Sequence, residues 1–250
     1  MRRIHHSRSA IKPSLLTVAI SVTLLLPETA ARQARHYPLE SADGLRLHNV
    51  TAEPAVLQGK KGVRLTMSEE TLRGARTAPQ GIADIEQLAV VDGLDFANGV
   101  IEAEIAGALA SEAAEGARGF VGVAFRLRSD MKTYDAFYLR PTNGRAEDQE
   151  RRNHAVQYIS HPDWPWSRLR KETPSRYESY VDLVPGVWTR VKIEVRGDRA
   201  RLYVHGQEQP TLIVNDVKSG ADGKGAVALW IGPGTVAHFR NLTVEPLSAK

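Results

Sequence analysis

The sequence predicts an all-β fold, a two-sheet antiparallel β-sandwich of the jelly-roll kind. Short apolar runs recur along the chain, separated by turn residues every ~8–12 positions, which is the spacing of sandwich strands. In the clearest of them, Trp188–His205 (WTRVKIEVRGDRARLYVH), apolar and polar residues alternate on both sides of a Gly197-Asp198 turn. That pattern marks an antiparallel hairpin with one buried face. Helical periodicity is hard to find anywhere.

Taken in order, Leu45–Val50 and Gly62–Met67 are the opening strands. Ile82–Val91 fits either a short helix or a strand through Gln87–Val91. The turn Asn98-Gly99 introduces a strand, VIEAEIAG. Ala106–Gly116 (AGALASEAAEG) has a helical composition but is bounded by glycine at both ends, so a connecting loop is expected there. Gly119–Arg128 is strongly apolar and belongs at the centre of a sheet. Tyr134–Arg140 is stopped by Pro141 and the Asn143-Gly144 turn. Ala155–Ile159 follows, and after the hairpin Gly225–Gly232 and Ala237–Glu245 close the chain.

The first residues have the layout of a secretory leader. Arg2, Arg3, Arg8 and Lys12 precede an uncharged run, Ser14–Leu26, and then small residues with Thr29 and Ala31 at signal-peptidase spacing. The run is too short for a membrane span, which needs ~20 residues. The expectation is a signal peptide over residues 1–31, a single domain over 32–250, and a periplasmic or secreted protein without a membrane span after cleavage. The chain has 33 Lys+Arg and 29 Asp+Glu, of which the leader takes four and one, leaving 29 and 28. A nearly neutral remainder gives no ground for nucleic acid as a partner. With no cysteine, disulfides are excluded, so packing and sheet hydrogen bonds must supply the stability.

The runs FANGVIEAEIAG, GFVGVAFRL, YDAFYLRP, PGVWTRVKIEVRGDRARLYVHG and GAVALWIGPGTVAHFRNLTV resemble the concanavalin A-like lectin/glucanase superfamily. The hairpin and the closing F-R-N-L-T-V strand are similar to laminin-G-like and bacterial 3-keto-disaccharide hydrolase domains. The resemblance covers Asp95–Val244 and implies a jelly roll. That scaffold hosts lectins, glycosidases, lyases and adhesion modules, so activity must be argued from the site. The chain departs from laminarinase-type members, which carry an E-x-D-x-E or E-x-D-x-x-E run. The nearest match is Glu102-Ala103-Glu104.

The candidate binding residues concentrate in Tyr134–Trp166. Tyr138 and Arg140 alternate onto one strand face with Tyr134, opposite Phe137 and Leu139. Gln157 and Tyr158 lie on the next strand, and two prolines stiffen the loop carrying His161, Trp164 and Trp166. Arg126 on the preceding strand either points into a cleft beside them or pairs with Glu102 or Glu104. Flat aromatic faces mixed with forked donors suit a polar, hydroxyl-rich ring, so the expected partner is a poly- or oligosaccharide, held on the concave sheet face. For catalysis the candidates are Glu102, Glu104 and His154. The two glutamates share a strand face with backbones ~7 Å apart, compatible with either glycosidase outcome or with a solvated face paired to arginines. The alternatives to binding alone are a glycoside hydrolase or an adhesion module. No metal site or cofactor is expected. The loop around Asp216 and Asp222 offers too few carboxylates, at the wrong spacing, to require calcium.

Overall fold

The structure is a computed structural model describing Met1, residues 33–77 and residues 85–247. The predicted leader, apart from Met1, and the Ile82–Asp84 end of the ambiguous segment lie outside the described residues. No helix among the described residues is long and apolar enough to cross a membrane.

The chain opens with β1 (Arg35–Tyr37), β2 (Leu45–His48), β3 (Val50–Leu57), β4 (Lys60–Met67) and helix α1 (Glu69–Thr77). The expected Leu45–Val50 strand breaks at Asn49, whose φ is +60°, a left-handed conformation that Asn tolerates better than most residues. The break hands the chain from one sheet to the other. The Asn49 side chain holds the corner, donating from Nδ2 to Glu86 O at 2.8 Å and accepting from Thr71 Oγ1 at 3.4 Å. Helix α1 was not foreseen, although its start is marked by the Ser68 hydroxyl accepting from Thr71 N and by Glu69 and Glu70 in the first turn.

Next come β5 (Leu88–Val91), β6 (Gly99–Leu109), β7 (Val121–Leu127) and β8 (Tyr134–Leu139). Gln87–Val91 is therefore strand, not helix. Strand β6 runs past Ala106 to Leu109, taking the start of the expected loop, because Ala237 pairs with Gly107 and Thr235 with Leu109, while residues 110–116 form the loop. Small residues fit there: a Cβ on Gly107 would lie 2.2 Å from Gly119 O. A helix α2 (Gln149–Asn153), capped by the Asp148 carboxylate accepting from Arg151 N, precedes β9 (Val156–His161). After α3 (Trp166–Glu172) and β10 (Glu178–Ser179) come β11 (Thr189–Arg196), β12 (Arg199–Val204), β13 (Leu212–Val214), β14 (Ala226–Ile231) and β15 (Thr235–Pro246).

These strands form two antiparallel sheets. The first has the order β13-β12-β11-β6-β15-β4-β3, with β1 also on β15. The second has the order β10-β9-β8-β7-β14-β5-β2. Pro54 sits on β3 at a sheet edge, where its missing N–H breaks no ladder. The predicted hairpin is β11–β12, with Val191 opposite Val204 and Ile193 opposite Leu202, all buried. Between the sheets pack Ile101, Ile105 and Phe239 from the first and Phe125 and Phe137 from the second. Phe125 meets Phe96 edge-on at 6.3 Å and stacks on Phe137 at 6.2 Å. Each such side chain contributes ~1.5–3 kcal/mol by burial. The first sheet alternates buried and solvated residues, as in β11. The second sheet differs: every residue of β7 and β8 is buried, so its outer face is covered as well.

Arg126 shows how the second sheet closes one end of the sandwich. Ala124 pairs with Ala228 and Leu127 with Ala226, so Phe125 and Arg126 together oppose Val227 in a β-bulge. With φ at +56°, the bulge re-aims the side chain. Arg126 Nε donates to Ala97 O at 2.9 Å, Nη1 to Gly220 O at 2.8 Å and Ser219 Oγ at 3.0 Å, and Nη2 to Gly197 O at 2.8 Å. It therefore neither faces a cleft beside Tyr138 nor pairs with Glu102 or Glu104. It ties three loops together from inside. Replacing it would leave several carbonyls buried without donors. The Arg126→Met protein should lose roughly 3 kcal/mol or more in denaturant unfolding. Arg128→Met, at an exposed position, should stay within ~0.5 kcal/mol.

Candidate functional site

On β8 the odd residues Asp135, Phe137 and Leu139 face the other sheet, and the even residues Tyr134 and Tyr138, with Arg140 following, face away. Registration brings Gln157 beside Tyr138 on one side and, through Gly122, Trp230 on the other. Gly122 leaves the space between the two rings empty of side chain, and a Cβ there would lie 2.2 Å from Phe137 O and 2.6 Å from Tyr138 Cβ. Tyr138 and Trp230 stack at 4.8 Å, and Phe120 meets Tyr138 edge-on at 5.9 Å. The result is an aromatic floor on the outer face of the second sheet.

At one end of the floor is a cationic cluster. Arg140 donates from Nη2 to Tyr138 Oη at 2.8 Å and Gln157 Oε1 at 3.2 Å, and from Nη1 to His154 O at 3.0 Å. Gln157 is itself buried, donating to the carbonyls of Tyr158 and Tyr177. It is a strut under Arg140 more than a surface for ligand. Glu178 on β10 is the carboxylate that holds the cluster. Its side chain is 3% exposed, and Arg170 from α3 grips it with Nη2 at 2.7 Å and Nε at 3.1 Å. His154 Nε2 lies 3.2 Å and Arg140 Nη1 3.9 Å from it. Burial pulls the Arg140 guanidinium below its usual value and pushes the Tyr138 phenol up, so the phenol stays neutral and accepts from Arg140. Burial also lowers His154. The Glu178 charge opposes this, while Arg170 and Arg140 add to it.

Above this cluster opens a pocket of about 210 Å³ lined by Arg118, Phe120, Arg140, His154, Trp166 and Arg170, among others. Trp166 is 46% exposed and carries the Arg170 guanidinium 4.8 Å from its ring centre. Trp164 behaves differently. It packs against the core, under Arg168 at 3.8 Å and Lys218 at 4.6 Å. At the other end of the floor, His161 Nδ1 lies 2.8 Å from Glu86 Oε1, and the Tyr134 hydroxyl hydrogen-bonds the other oxygen of Glu86 and accepts from Trp230 Nε1 at 3.0 Å. Burial and the Glu86 charge raise Tyr134 well above an ordinary phenol, so it donates.

The structure thus brings together Tyr138, Arg140, Gln157, His154 and Trp166, and puts His161 on the same face. It separates the rest. Tyr158 pairs with Phe137 on the inner side, donating to Asp135 Oδ1 at 2.6 Å. Glu102 and Glu104 stand on β6 of the first sheet, between the core residues Ile101, Ala103 and Ile105, and so point away from the sandwich on its opposite side. Glu104 is bound by Lys60 at 3.2 Å, Asn241 at 3.0 Å and Arg240 at 3.5 Å, and Glu102 pairs in register with Lys192. The cation-paired alternative describes Glu104. Asp216 is taken by Tyr177 at 2.6 Å, Lys218 at 2.9 Å and Arg176 at 3.3 Å. Sequence reasoning missed Arg118, Phe120, Arg170, Glu178, Trp230 and Glu86. For Trp230 a signal was present, since it alternates outward in GAVALWIG. The others come from segments whose meeting depends on strand order.

Breaking a buried ion pair by removing one partner costs ~3–5 kcal/mol. The Glu178→Gln protein should lose about that much in denaturant unfolding, and its His154 should titrate lower by NMR, because the charge that raises it is gone. Parental stability in this variant would remove Glu178 as the anchor. Since burial holds His154 below the ~6.5 of an unfolded imidazole, the unfolded chain takes the proton first. The contribution of His154 to stability is whole above that pH and is lost as the pH falls through the folded value.

No family model matches the chain, and no curated protein matches it by sequence. Solved structures do match by shape. The carbohydrate binding module CBM66 from Bacillus subtilis aligns at a TM-score of 0.51 and 14% identity, over 80% of this chain and 95% of that one. A Bacillus subtilis protein of unknown function with a galectin-like fold aligns at 0.49 and 12%, over 86% and 96%. A peanut lectin aligns at 0.49 and 8%, over 87% and 100%. The described sheets, with the likeness to the carbohydrate binding module, establish a two-sheet jelly-roll β-sandwich fold for this chain.

Proposed function

We propose that this chain is an exported carbohydrate-binding jelly-roll protein that holds a poly- or oligosaccharide on the outer face of its second sheet. The observation that carries this is the pocket in which a half-exposed indole, Trp166, stands beside Phe120 and a set of fixed guanidinium donors. An indole stacks against the apolar face of a sugar ring, and guanidinium forks bind hydroxyls and charged substituents. Two of these guanidinium groups, those of Arg170 and Arg140, are pre-ordered by Glu178 and Gln157, which lowers the entropic cost of binding. A fold shared with a carbohydrate binding module agrees with this assignment. Export rests on the leader ending at Ala31.

In affinity electrophoresis against a panel of neutral and acidic polysaccharides, at least one gel should retard the protein. Trp166→Ala should weaken that retardation about tenfold, the effect of losing roughly 1.4 kcal/mol of stacking. Ile213→Ala, an exposed position on β13 of the first sheet, should leave it unchanged. A protein that migrates freely through every gel would refute saccharide binding. For export, residues 1–31 fused to a reporter should carry it across the inner membrane of a bacterial host, with cleavage near Ala31.

A second reading, a glycoside hydrolase on the same face, is favoured by the Glu86–His161 pair. Glu86 holds Nδ1 of His161, which leaves Nε2 to exchange a proton with a substrate oxygen. Release of reducing ends from an oligosaccharide, lost in both Glu86→Gln and His161→Ala and kept in Glu104→Gln, is the expected outcome for an enzyme. Activity that survives in the first two would eliminate this pair.

A further inference from the structure

The pocket is unbalanced in charge. Four guanidinium groups line it, those of Arg118, Arg140, Arg151 and Arg170. Among the described residues the carboxylate that pairs with any of them is Glu178, and it serves Arg170 and Arg140. His154 adds no negative charge, and burial disfavours its protonation.

The four arginines are not equally occupied. Arg140 is fully turned to the protein, on His154 O, Tyr138 Oη and Gln157 Oε1. Arg170 has its Nε and Nη2 on Glu178. Among the described residues, Arg118 uses only Nη1, on the carbonyls of Glu115 at 2.6 Å and Ala117 at 2.7 Å, and Arg151 makes a single long contact through its guanidinium, from Nη2 to Asn143 Oδ1 at 3.5 Å. Among the described residues neither Arg118 nor Arg151 forms an ion pair. They also repel: burial lowers Arg118 first, and the charges of Arg151 and Arg140 lower it further, with the Glu115 charge opposing them as the smallest contribution. Like charges held this way favour a bound counter-charge.

We propose that the ligand is an anionic saccharide, and that Arg118 and Arg151 bind the oxyanion borne by one of its rings while Trp166 stacks on that ring. This rests on saccharide binding as assigned above. Guanidinium forks match the planar, two-oxygen edge of a carboxylate and also grip a sulfate ester. In this assignment the pocket of about 210 Å³ holds one sugar ring, and the remaining chain lies outside it.

The test is calorimetric titration of the full protein with polygalacturonate and hyaluronan, each beside its carboxyl-reduced neutral form, with dextran sulfate beside dextran, and with inorganic phosphate alone. At least one acidic polymer should bind about tenfold or more tighter than its neutral counterpart, with affinity falling as salt rises. Which acidic polymer binds tells carboxylate from sulfate ester. The Arg118→Gln/Arg151→Gln protein, checked for parental unfolding, should lose that preference and keep whatever binding the neutral form shows. Equal binding of acidic and neutral forms, or a preference that survives in the double variant, overturns the anionic assignment and leaves saccharide binding standing. Phosphate binding without any glycan binding, or no binding at all, overturns both.

Discussion

The pocket depends on one buried carboxylate. Glu178 is almost without solvent, yet basic side chains from three segments converge on it: Arg170 from α3, His154 from the turn before β9, and Arg140 from the end of β8. An ion buried to this degree loses its hydration and is tolerated only when its lone pairs are filled. The filling fixes where α3 lies and how its first residue, Trp166, is presented. It also orients Arg140, which through Tyr138 and Gln157 is tied to the aromatic floor. Charge pairing inside the cluster and stacking on the floor are therefore one mechanical unit.

The two sheets of the sandwich play different roles because their outer faces differ. The first sheet shows water a ladder of paired charges, with Glu53 and Arg64, Lys192 and Glu194, and Glu104 with its three partners. Such exposed pairs contribute little each and mark a face that is solvated. The second sheet covers its outer face with its own aromatic residues, its short helices and a network of buried donors and acceptors. A face protected in that way can position groups rigidly, which is what a selective site requires. At its far end the Glu86–His161–Tyr134 contacts do for an imidazole what Glu178 does for the guanidinium groups.

Helices α1, α2 and α3 each escaped a search for helical periodicity because they are short and pack little apolar surface. What marks α1 and α2 is a cap. Ser68 and Asp148 each accept from a backbone N–H three residues on, and capping needs no periodic stripe. The Ala-rich segment after Ala106 erred the other way. Its composition favours loop or helix, but pairing with β15 and the close approach of Gly119 to Gly107 made its first residues, through Leu109, strand and left the rest loop. Propensity is a weak term beside sheet pairing.

What the sequence determined alone was whatever a local period encodes. The strand inventory, the Trp188–His205 hairpin with its inward residues, and the shared face of Tyr134, Tyr138 and Arg140 all follow from side chains alternating every second residue. The tertiary structure decided which faces meet. It set Glu102 and Glu104 on the opposite sheet, turned Arg126 inward through a bulge, and gathered Arg118, Arg170, Glu178 and Trp230 around Tyr138. Strand order and bulges are settled by contacts between distant segments, and no spacing along the chain records them.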